Sequence, residues 1–375
     1  MGKRSVSFPE LDAVRTLCFL SVFFFHALYA TDPAVIADAR YRFFKVHLFG
    51  DGGLGVNVFF VLSGFLITYL LLAEKRLNGR IDVPRFWLRR VLRIWPLYYA
   101  TLVVGFFLIP AVKAAIGQPE PETADLLHYL TFTGNFDQAR GEFPASSVVS
   151  ILWSIAVEEQ FYLFWPVLIA IVPERRLPWL FASVVAMGIV FRGIVNDAFA
   201  YECHTLSCVN DMAIGGWASM ALFSERGRSW VAGWGRPTIL LLHLAFLVLY
   251  IFRDKLLMPW FIPGILDRTL FAASAASLLL YQVQGMPTRL RLTHSPVLQW
   301  AGRISYGLYC LHPIAVLVAI QVMQRTGLDH TVWCALIWQP GLALVLTFVL
   351  AWASHRWFER PFLRLKDRFA YIVRG

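Results

Sequence analysis

Long apolar segments recur along the whole chain and constrain its fold more than any other feature. Only 15% of the residues are charged and 58% are hydrophobic, whereas a soluble domain has about 25% charged residues. A helix of about 20 apolar residues crosses a hydrocarbon core of about 30 Å. The sequence therefore predicts an all-α, polytopic integral membrane helical bundle of about ten transmembrane helices. They are expected over about 11–30, 53–73, 94–111, 151–172, 178–195, 211–224, 238–252, 259–282, 302–323 and 332–354.

No internal repeat, low-complexity tract or flexible linker divides the chain. A single transmembrane domain over 1–375 is therefore the simplest prediction. Its core is expected over about 8–356, with a short cytoplasmic tail over about 357–375. Asp12 and Arg15 interrupt the first apolar segment, and no small-residue cleavage site is evident. Those features favour a retained helix over a secretory signal.

The distribution of basic residues predicts the orientation. When the segments alternate across the membrane, most of the 34 Lys and Arg residues fall on the side of the N-terminus. Because Lys and Arg are enriched in cytoplasmic loops, both termini are predicted to be cytoplasmic, in an inner (plasma) membrane. The net charge of +10 is spread over many loops. It therefore indicates contact with the anionic lipid of the bilayer rather than with nucleic acid.

His26 is an ionisable side chain in the outer half of the first apolar segment, where such groups commonly have a function. At a rise of 1.5 Å per residue, Asn57 and Glu158 fall at a similar outer depth on the second and fourth segments. Glu159 lies beside Glu158, and Ser154 lies one turn further out. A histidine oriented by a carboxylate is a suitable general base. The alternative is a structural His–Glu hydrogen bond that joins the first and fourth helices.

A second group of polar residues is expected near the inner surface. Arg90 and Arg93 are three residues apart and so share one helix face. Arg15 lies about 16–17 Å below His26 along the first helix. Ordinary cytoplasmic positive charge is one interpretation; a clamp for phosphate groups is the other. Phosphates on the inside and a base nearer the outside suggest an elongated donor such as acyl-coenzyme A.

Six ordered blocks of this sequence resemble the membrane acyltransferase 3 family. They are LDAVRTLCFLSVFFFH, GVNVFFVLSGFLI, RRVLRIWPLYY, WSIAVEEQFYLFWP, GRISYGLYCLHP and FERPF. The resemblance implies an integral membrane enzyme that transfers an acyl group from cytoplasmic acetyl-CoA. The implied acceptor is a hydroxyl of an extracytoplasmic or lipid-linked glycan.

The resemblance also implies roles for individual residues. The family's arginine–ten residues–histidine motif matches Arg15 and His26, which implies that His26 is catalytic. Its arginine–two residues–arginine motif matches Arg90 and Arg93, with an implied role in binding coenzyme A. The first glutamate of the fourth-helix motif matches Glu158. The chain departs from the family pattern at Asn57, where an aspartate often stands, so which group orients His26 is open.

Further residues have two interpretations each. His312 and Tyr306 either line the donor channel or pack in the core, and Cys203 and Cys208 either remain thiols or form a local disulfide. No spacing of Cys and His indicates a metal site, and no permanently bound cofactor is expected, since acetyl-CoA is a substrate.

Other functions also fit the sequence. A membrane transporter or flippase of envelope precursors, a non-catalytic scaffold and acylation of a small secondary metabolite are the alternatives. Some relatives carry an additional outside domain, which we do not expect here. The acyl group would then be transferred directly or handed to a separate periplasmic partner.

Overall fold

The computed structural model describes residues 4–6, 8–140, 143–195, 197–257, 261–285, 288–292, 295–369 and 372–374. Ten long helices, α1 to α10, account for most of this part of the chain. They are α1 Pro9–Ala27, α2 Gly53–Asn78, α3 Val83–Val103, α4 Trp153–Ile171, α5 Leu177–Ile194, α6 Thr205–Met220, α7 Arg236–Leu256, α8 Phe261–Gln284, α9 Ser305–Thr326 and α10 Gln339–Ala353.

Shorter helices connect or extend these ten. The first connection contains Pro33–Ala37, Ala39–Arg42 and the π-helix Phe43–Leu48, and the third contains Leu126–Leu130, Gly134–Gln138 and Ser147–Ser150. Val104–Leu108 and Ile109–Ala115 extend α3, whereas Cys334–Trp338 precedes α10 and Ser354–Glu359 and Arg360–Lys366 follow it. The remaining short elements are Glu174–Arg176, Ala198–Cys203, Ala221–Phe223, Glu225–Ala232, Pro296–Arg303 and Asp367–Phe369.

Seven helical stretches in the described residues are long and apolar enough to cross a membrane. They contain α2, α3, α4, α5, α7, α9 and α10. α1 carries Glu10, Asp12 and Arg15, α6 has only 16 residues, and α8 carries Asp267 and Arg268. The predicted all-α, multi-pass membrane bundle is confirmed, while the number of about ten crossings remains a prediction.

The two ends of the chain lie beside each other. Arg4–Val6 forms a short parallel pairing with Ile372–Arg374, in which Arg4 faces Ile372. Both termini are therefore on one face of the bundle, as an even number of crossings requires. That this face is cytoplasmic remains a prediction.

Close packing between α2 and α6 forms the centre of the bundle. A Cβ atom at Gly64 of α2 would lie 1.9 Å from the carbonyl oxygen of Met212. A Cβ atom at Gly215 of α6 would lie 1.9 Å from the carbonyl oxygen of Val61. Glycine is therefore needed at both positions, because small residues let two membrane helices approach closely. This packing fixes α2, which contributes one wall of the cavity described below.

The sixth helix begins earlier than the sequence indicated. α6 starts at Thr205 rather than near 211, because the ring nitrogen Nδ1 of His204 accepts a hydrogen bond from the Leu206 N–H at 3.2 Å and caps the helix. Cys208 consequently lies inside a helix, and its thiol donates to the Glu202 carbonyl at 3.2 Å. Cys203 and Cys208 are both free and buried. The disulfide alternative is therefore not realised.

A buried ion pair and the hydrogen bonds of a second buried arginine join α5, α6 and α8, a feature that the sequence analysis missed. Arg268 Nε lies 2.8 Å from Asp211 Oδ2, and both side chains are 0% exposed. Arg192 donates to the Thr269 hydroxyl at 2.7 Å and to the Asn210 amide oxygen at 3.4 Å. Because an unpaired charge is costly inside a membrane, these contacts allow α8 to carry charged residues.

Candidate functional site

A partly open cavity lies between α1, α2, α3, α4 and α9. The space that the centre of a water molecule can occupy in it is about 100 Å³, and the volume including its open mouth is about 690 Å³. Three cationic side chains and one carboxylate line it together with hydroxyl and aromatic groups. The lining residues are Arg15, Val56, Phe59, Phe60, Ser63, Arg90, Arg93, Ile94, Ser154, Ile155, Glu158, Tyr162, Ser305, Tyr306 and Tyr309.

The structure brings Arg15, Arg90 and Arg93 together in this cavity. Arg15 NH1 lies 3.2 Å from Asp12 Oδ1, one turn earlier on α1. The Arg90 guanidinium lies over the Tyr162 ring at 5.5 Å, and its Nε is buried without a hydrogen-bond partner among the described residues. Three guanidinium groups around one cavity carboxylate leave excess positive charge, so the cavity is suited to an anionic ligand.

Arg89 differs from its two neighbours in the same motif. Its guanidinium contacts Glu74 Oε2 at 3.2 Å and the Phe369 carbonyl at 3.0 Å. Arg89 therefore joins α3 to α2 and to the C-terminal segment, outside the cavity. Within the described residues, Arg93 forms no hydrogen bond and no ion pair within 4 Å. The arginines of this motif thus divide into one structural residue and two cavity residues.

Glu158 is the carboxylate of the cavity. Its Oε1 accepts a hydrogen bond of 2.5 Å from the Ser63 hydroxyl of α2. Ser63 also accepts a longer bond, 3.4 Å, from the Tyr162 hydroxyl. Glu159 points elsewhere and accepts from the Trp95 indole N–H at 2.9 Å. The two adjacent glutamates therefore have different surroundings, and of the two only Glu158 lines the cavity.

His26 lies near the outer end of α1, apart from the residues that line the cavity. Its ring is half-buried, and its centroid lies 5.3 Å from that of His312 on α9. Glu158 contacts Ser63, which is six residues further along α2 than Asn57, or about 9 Å inward. The predicted common level of Asn57 and Glu158 is therefore not observed, because depth counted along a straight helix ignores tilt. Glu158 lies at the level of the arginines.

The other predicted residues have defined positions. Ser154 shares a 2.7 Å hydrogen bond with the Tyr309 hydroxyl, and Tyr306 donates to the Ile94 carbonyl at 2.8 Å. Both line the cavity. Asn57 is fully buried, and neither atom of its amide has a hydrogen-bond partner within the described chain.

Several cavity residues were not identified from the sequence, among them Ser63 and Tyr309. Ser63 holds Glu158, and the Tyr309 hydroxyl donates to the Ile151 carbonyl at 3.0 Å besides contacting Ser154. Ser63 belongs to the block GVNVFFVLSGFLI and Tyr309 to GRISYGLYCLHP. Their place within these blocks was the available signal. Among the described residues, no group of three His, Cys, Asp or Glu side chains is placed to hold a metal ion.

The fold and the cavity define a multi-pass helical membrane protein with a buried arginine-lined site and a histidine further out on the first helix. Residues 8–356 match the family described as Acyltransferase domain. The chain belongs to this family of acyltransferases, which confirms the resemblance inferred from the sequence blocks.

Curated relatives carry related names. The chain is 24% identical over 376 residues to the peptidoglycan O-acetyltransferase OatA of Listeria monocytogenes, covering 94% of this chain and 55% of the relative. It is 25% identical to the putative peptidoglycan O-acetyltransferase YrhL of Bacillus subtilis, covering 94% and 54%. It is 26% identical to the O-acetyltransferase OatA of Staphylococcus aureus, covering 94% and 57%. The chain thus spans about half the length of these relatives. No solved structure matches it.

Proposed function

We propose that the protein is an O-acyltransferase of the inner (plasma) membrane. It moves an acetyl group from cytoplasmic acetyl-CoA to a hydroxyl of an extracytoplasmic or lipid-linked glycan. The observation that carries the proposal is the cavity that Arg15, Arg90 and Arg93 line together with a single carboxylate, Glu158. The names of the relatives favour peptidoglycan as the glycan.

The arginines supply the binding half of the mechanism. Guanidinium groups form paired, charge-assisted hydrogen bonds with phosphate oxygens. In this proposal Arg90 and Arg93 hold the phosphates of coenzyme A, and Arg15 extends the positive charge along α1. Glu158, held by Ser63, lines the same cavity and offsets part of the positive charge of the three guanidinium groups. Its role lies on the donor side of the path, since its contacts are with Ser63 and not with His26.

His26 supplies the chemical half of the mechanism. Its unprotonated ring nitrogen takes the proton of the acceptor hydroxyl while the oxygen attacks the thioester carbonyl carbon. The C–S bond then breaks, and the coenzyme A sulfur receives the proton from the imidazolium. An ester and free coenzyme A result, so the atoms and charges balance. Transfer to a hydroxyl of a separate periplasmic acyl-handling protein would follow the same step.

Replacing His26 tests this function. His26→Ala is expected to abolish transfer of labelled acetyl from acetyl-CoA to glycans of isolated cell envelopes. Thermal stabilisation of the purified protein by acetyl-CoA should persist, because the phosphates bind about 16 Å away along α1. His47→Ala is the matched control, since His47 is exposed on a different helix. Wild-type transfer by His26→Ala would contradict the proposal.

Binding of acetyl-CoA also separates the enzyme from a transporter of envelope precursors. An Arg90→Ala/Arg93→Ala double variant should lose the thermal stabilisation that acetyl-CoA gives to the wild type. If acetyl-CoA stabilises neither protein, the cavity does not bind the donor and the transporter alternative gains support.

A further inference from the structure

The neighbours of His312 on α9 determine which of its two ring nitrogens carries a proton. Its Nδ1 lies 2.6 Å from the carbonyl oxygen of Tyr309. A carbonyl oxygen only accepts hydrogen bonds, so Nδ1 must carry the proton and Nε2 must carry a lone pair. The ring is 0% exposed, and Nε2 is buried with no hydrogen-bond partner among the described residues. A buried acceptor is thus left unused.

Pro313 explains why the Tyr309 carbonyl is available. In a helix this carbonyl would accept from the N–H four residues later, at position 313. Proline has no N–H, so the helix leaves the carbonyl unpaired there. His312 fills the gap with its own side chain. The order Tyr309, His312 and Pro313 therefore fixes the tautomer of the histidine.

The unused acceptor belongs to a ring that packs against the first helix. The centroids of the His312 and His26 rings are 5.3 Å apart, and their planes are inclined by 49°. Phe19 and Phe23, two turns and one turn before His26 on α1, also pack against the His312 ring, with centroids at 6.1 and 6.5 Å. His312 is thus held by apolar contacts, and its ring lies next to that of His26.

We infer that His312 is the positioning residue that orients His26 for catalysis. In the bound complex an N–H of His26 donates to Nε2 of His312, while Nδ1–H of His312 donates to the Tyr309 carbonyl. The other nitrogen of His26 then presents its lone pair to the acceptor hydroxyl. Catalytic hydrogen bonds often tighten only when substrate is bound. This inference rests on the proposed function, because it assumes that His26 is the base.

Burial assigns the two histidines to their different roles. His26 is half-buried and so accessible to a substrate, whereas His312 has no exposed surface. A neutral imidazole acceptor fixes the tautomer of the base, as a carboxylate does in other enzymes. It introduces no net charge into the membrane interior. The arrangement also explains how His26 is oriented without a carboxylate. Glu158 lies on the donor side of the path, and Asn57 stands where an aspartate is often found.

The test compares three single variants of the full-length protein. His312→Leu removes both hydrogen-bonding nitrogens, and His312→Gln keeps an acceptor oxygen near the position of Nε2. We expect His312→Leu to lower kcat by about 100-fold, at the low end of what general base catalysis contributes. The KM for acetyl-CoA should change less than about 3-fold, because the arginines are intact. His312→Gln should recover at least about 10-fold of the lost kcat.

Val316→Ala is the matched control for packing. Val316 is 6% exposed and lies one turn beyond His312 on α9. This variant should lower thermal stability with a kcat close to wild type. A loss of kcat in Val316→Ala equal to that in His312→Leu would overturn the inference in favour of a packing role. A His312→Gln variant that is no more active than His312→Leu would also overturn the inference.

A double variant separates this inference from the proposed function. If His312 acts only through His26, then His26→Ala/His312→Leu is no slower than His26→Ala alone. If His26→Ala retains transfer, the proposed function itself fails. If His26→Ala is inactive while His312→Leu keeps the wild-type kcat, the function stands and the inference about His312 is wrong.

Discussion

Arg93→Ala gives a direct test of the cavity, because the Arg93 side chain makes few contacts that stabilise the fold. Within the described residues it makes no hydrogen bond and no ion pair within 4 Å, yet it lines the cavity with Arg15 and Arg90. Its removal should therefore change the free energy of unfolding by no more than about 0.5 kcal/mol, as for a surface substitution. In the proposed mechanism, the Arg93 guanidinium acts when a phosphate group of the donor is bound.

The expected loss of affinity for acetyl-CoA follows from the removal of one charged hydrogen-bonding group, the Arg93 guanidinium. A hydrogen bond to a charged group contributes about 1.5–3 kcal/mol. Because each 1.4 kcal/mol is a factor of ten, the Kd for acetyl-CoA should rise about 10- to 150-fold. Arg93→Lys should lose less, since it keeps the charge but not the planar fork of donors. Isothermal titration of acetyl-CoA into the detergent-solubilised protein measures both values.

Arg89→Ala is the matched control from the same motif. Arg89 pairs with Glu74, which is 3% exposed, at 3.2 Å. Removing it leaves a buried carboxylate with one fewer partner, which should cost about 2–3 kcal/mol of stability. The variant should melt at a lower temperature but bind acetyl-CoA as the wild type does. Wild-type affinity in Arg93→Ala, or equal losses of affinity in both variants, would refute the assignment of the cavity to the donor.

Four further substitutions test the cavity and the packing around it. Ser63→Ala removes the 2.5 Å hydrogen bond to Glu158, and kcat/KM should fall by about 10-fold, equivalent to about 1.4 kcal/mol. Gly215→Ala places a methyl group 1.9 Å from a carbonyl oxygen of α2 and should cost at least about 1–3 kcal/mol in a thermal melt. Gly341→Ala on α10 meets no atom within 4 Å and should be neutral or stabilising by up to about 1 kcal/mol. Asp211→Ala leaves its buried arginine partner without its closest carboxylate and should cost about 3–5 kcal/mol. Unchanged melting temperatures in Gly215→Ala and Asp211→Ala would contradict the packing argument.

Local sequence patterns predicted the features that depend on a single segment, such as the position of a helix and the face on which its residues lie. Apolar length placed most of the long helices, since each must fill the same hydrocarbon thickness. It missed the first half of α3, which begins at Val83 rather than near 94, because that half is rich in arginine. A spacing of three placed Arg90 and Arg93 on one face. The start of α6 was misplaced because its first turn, Thr205 to Cys208, contains polar residues that resemble a loop.

Contacts between segments that are far apart along the chain could not be predicted from the sequence. Glu158 pairs with Ser63, 95 residues earlier, and Arg268 pairs with Asp211, 57 residues earlier. Neither pair follows from helix periodicity, because the relative tilt and rotation of two helices decide which side chains meet. The bond from His312 to Tyr309 is different, since Pro313 leaves a carbonyl unpaired within one turn. That contact was available from the sequence through elementary helix geometry.

The separation of the arginines from His26 bears on the kind of donor the protein uses. Arg15 and His26 lie eleven residues apart on one helix, which is about 16 Å along its axis. In the proposed mechanism, the phosphates held near Arg15 and the carbonyl carbon beside His26 therefore belong to one elongated molecule. Acetyl phosphate, whose acyl carbon is one oxygen away from phosphorus, would leave its carbonyl in the cavity beside Glu158. A donor with a long arm between its phosphates and its thioester satisfies both ends, which is why the geometry supports acetyl-CoA over a compact acetyl donor.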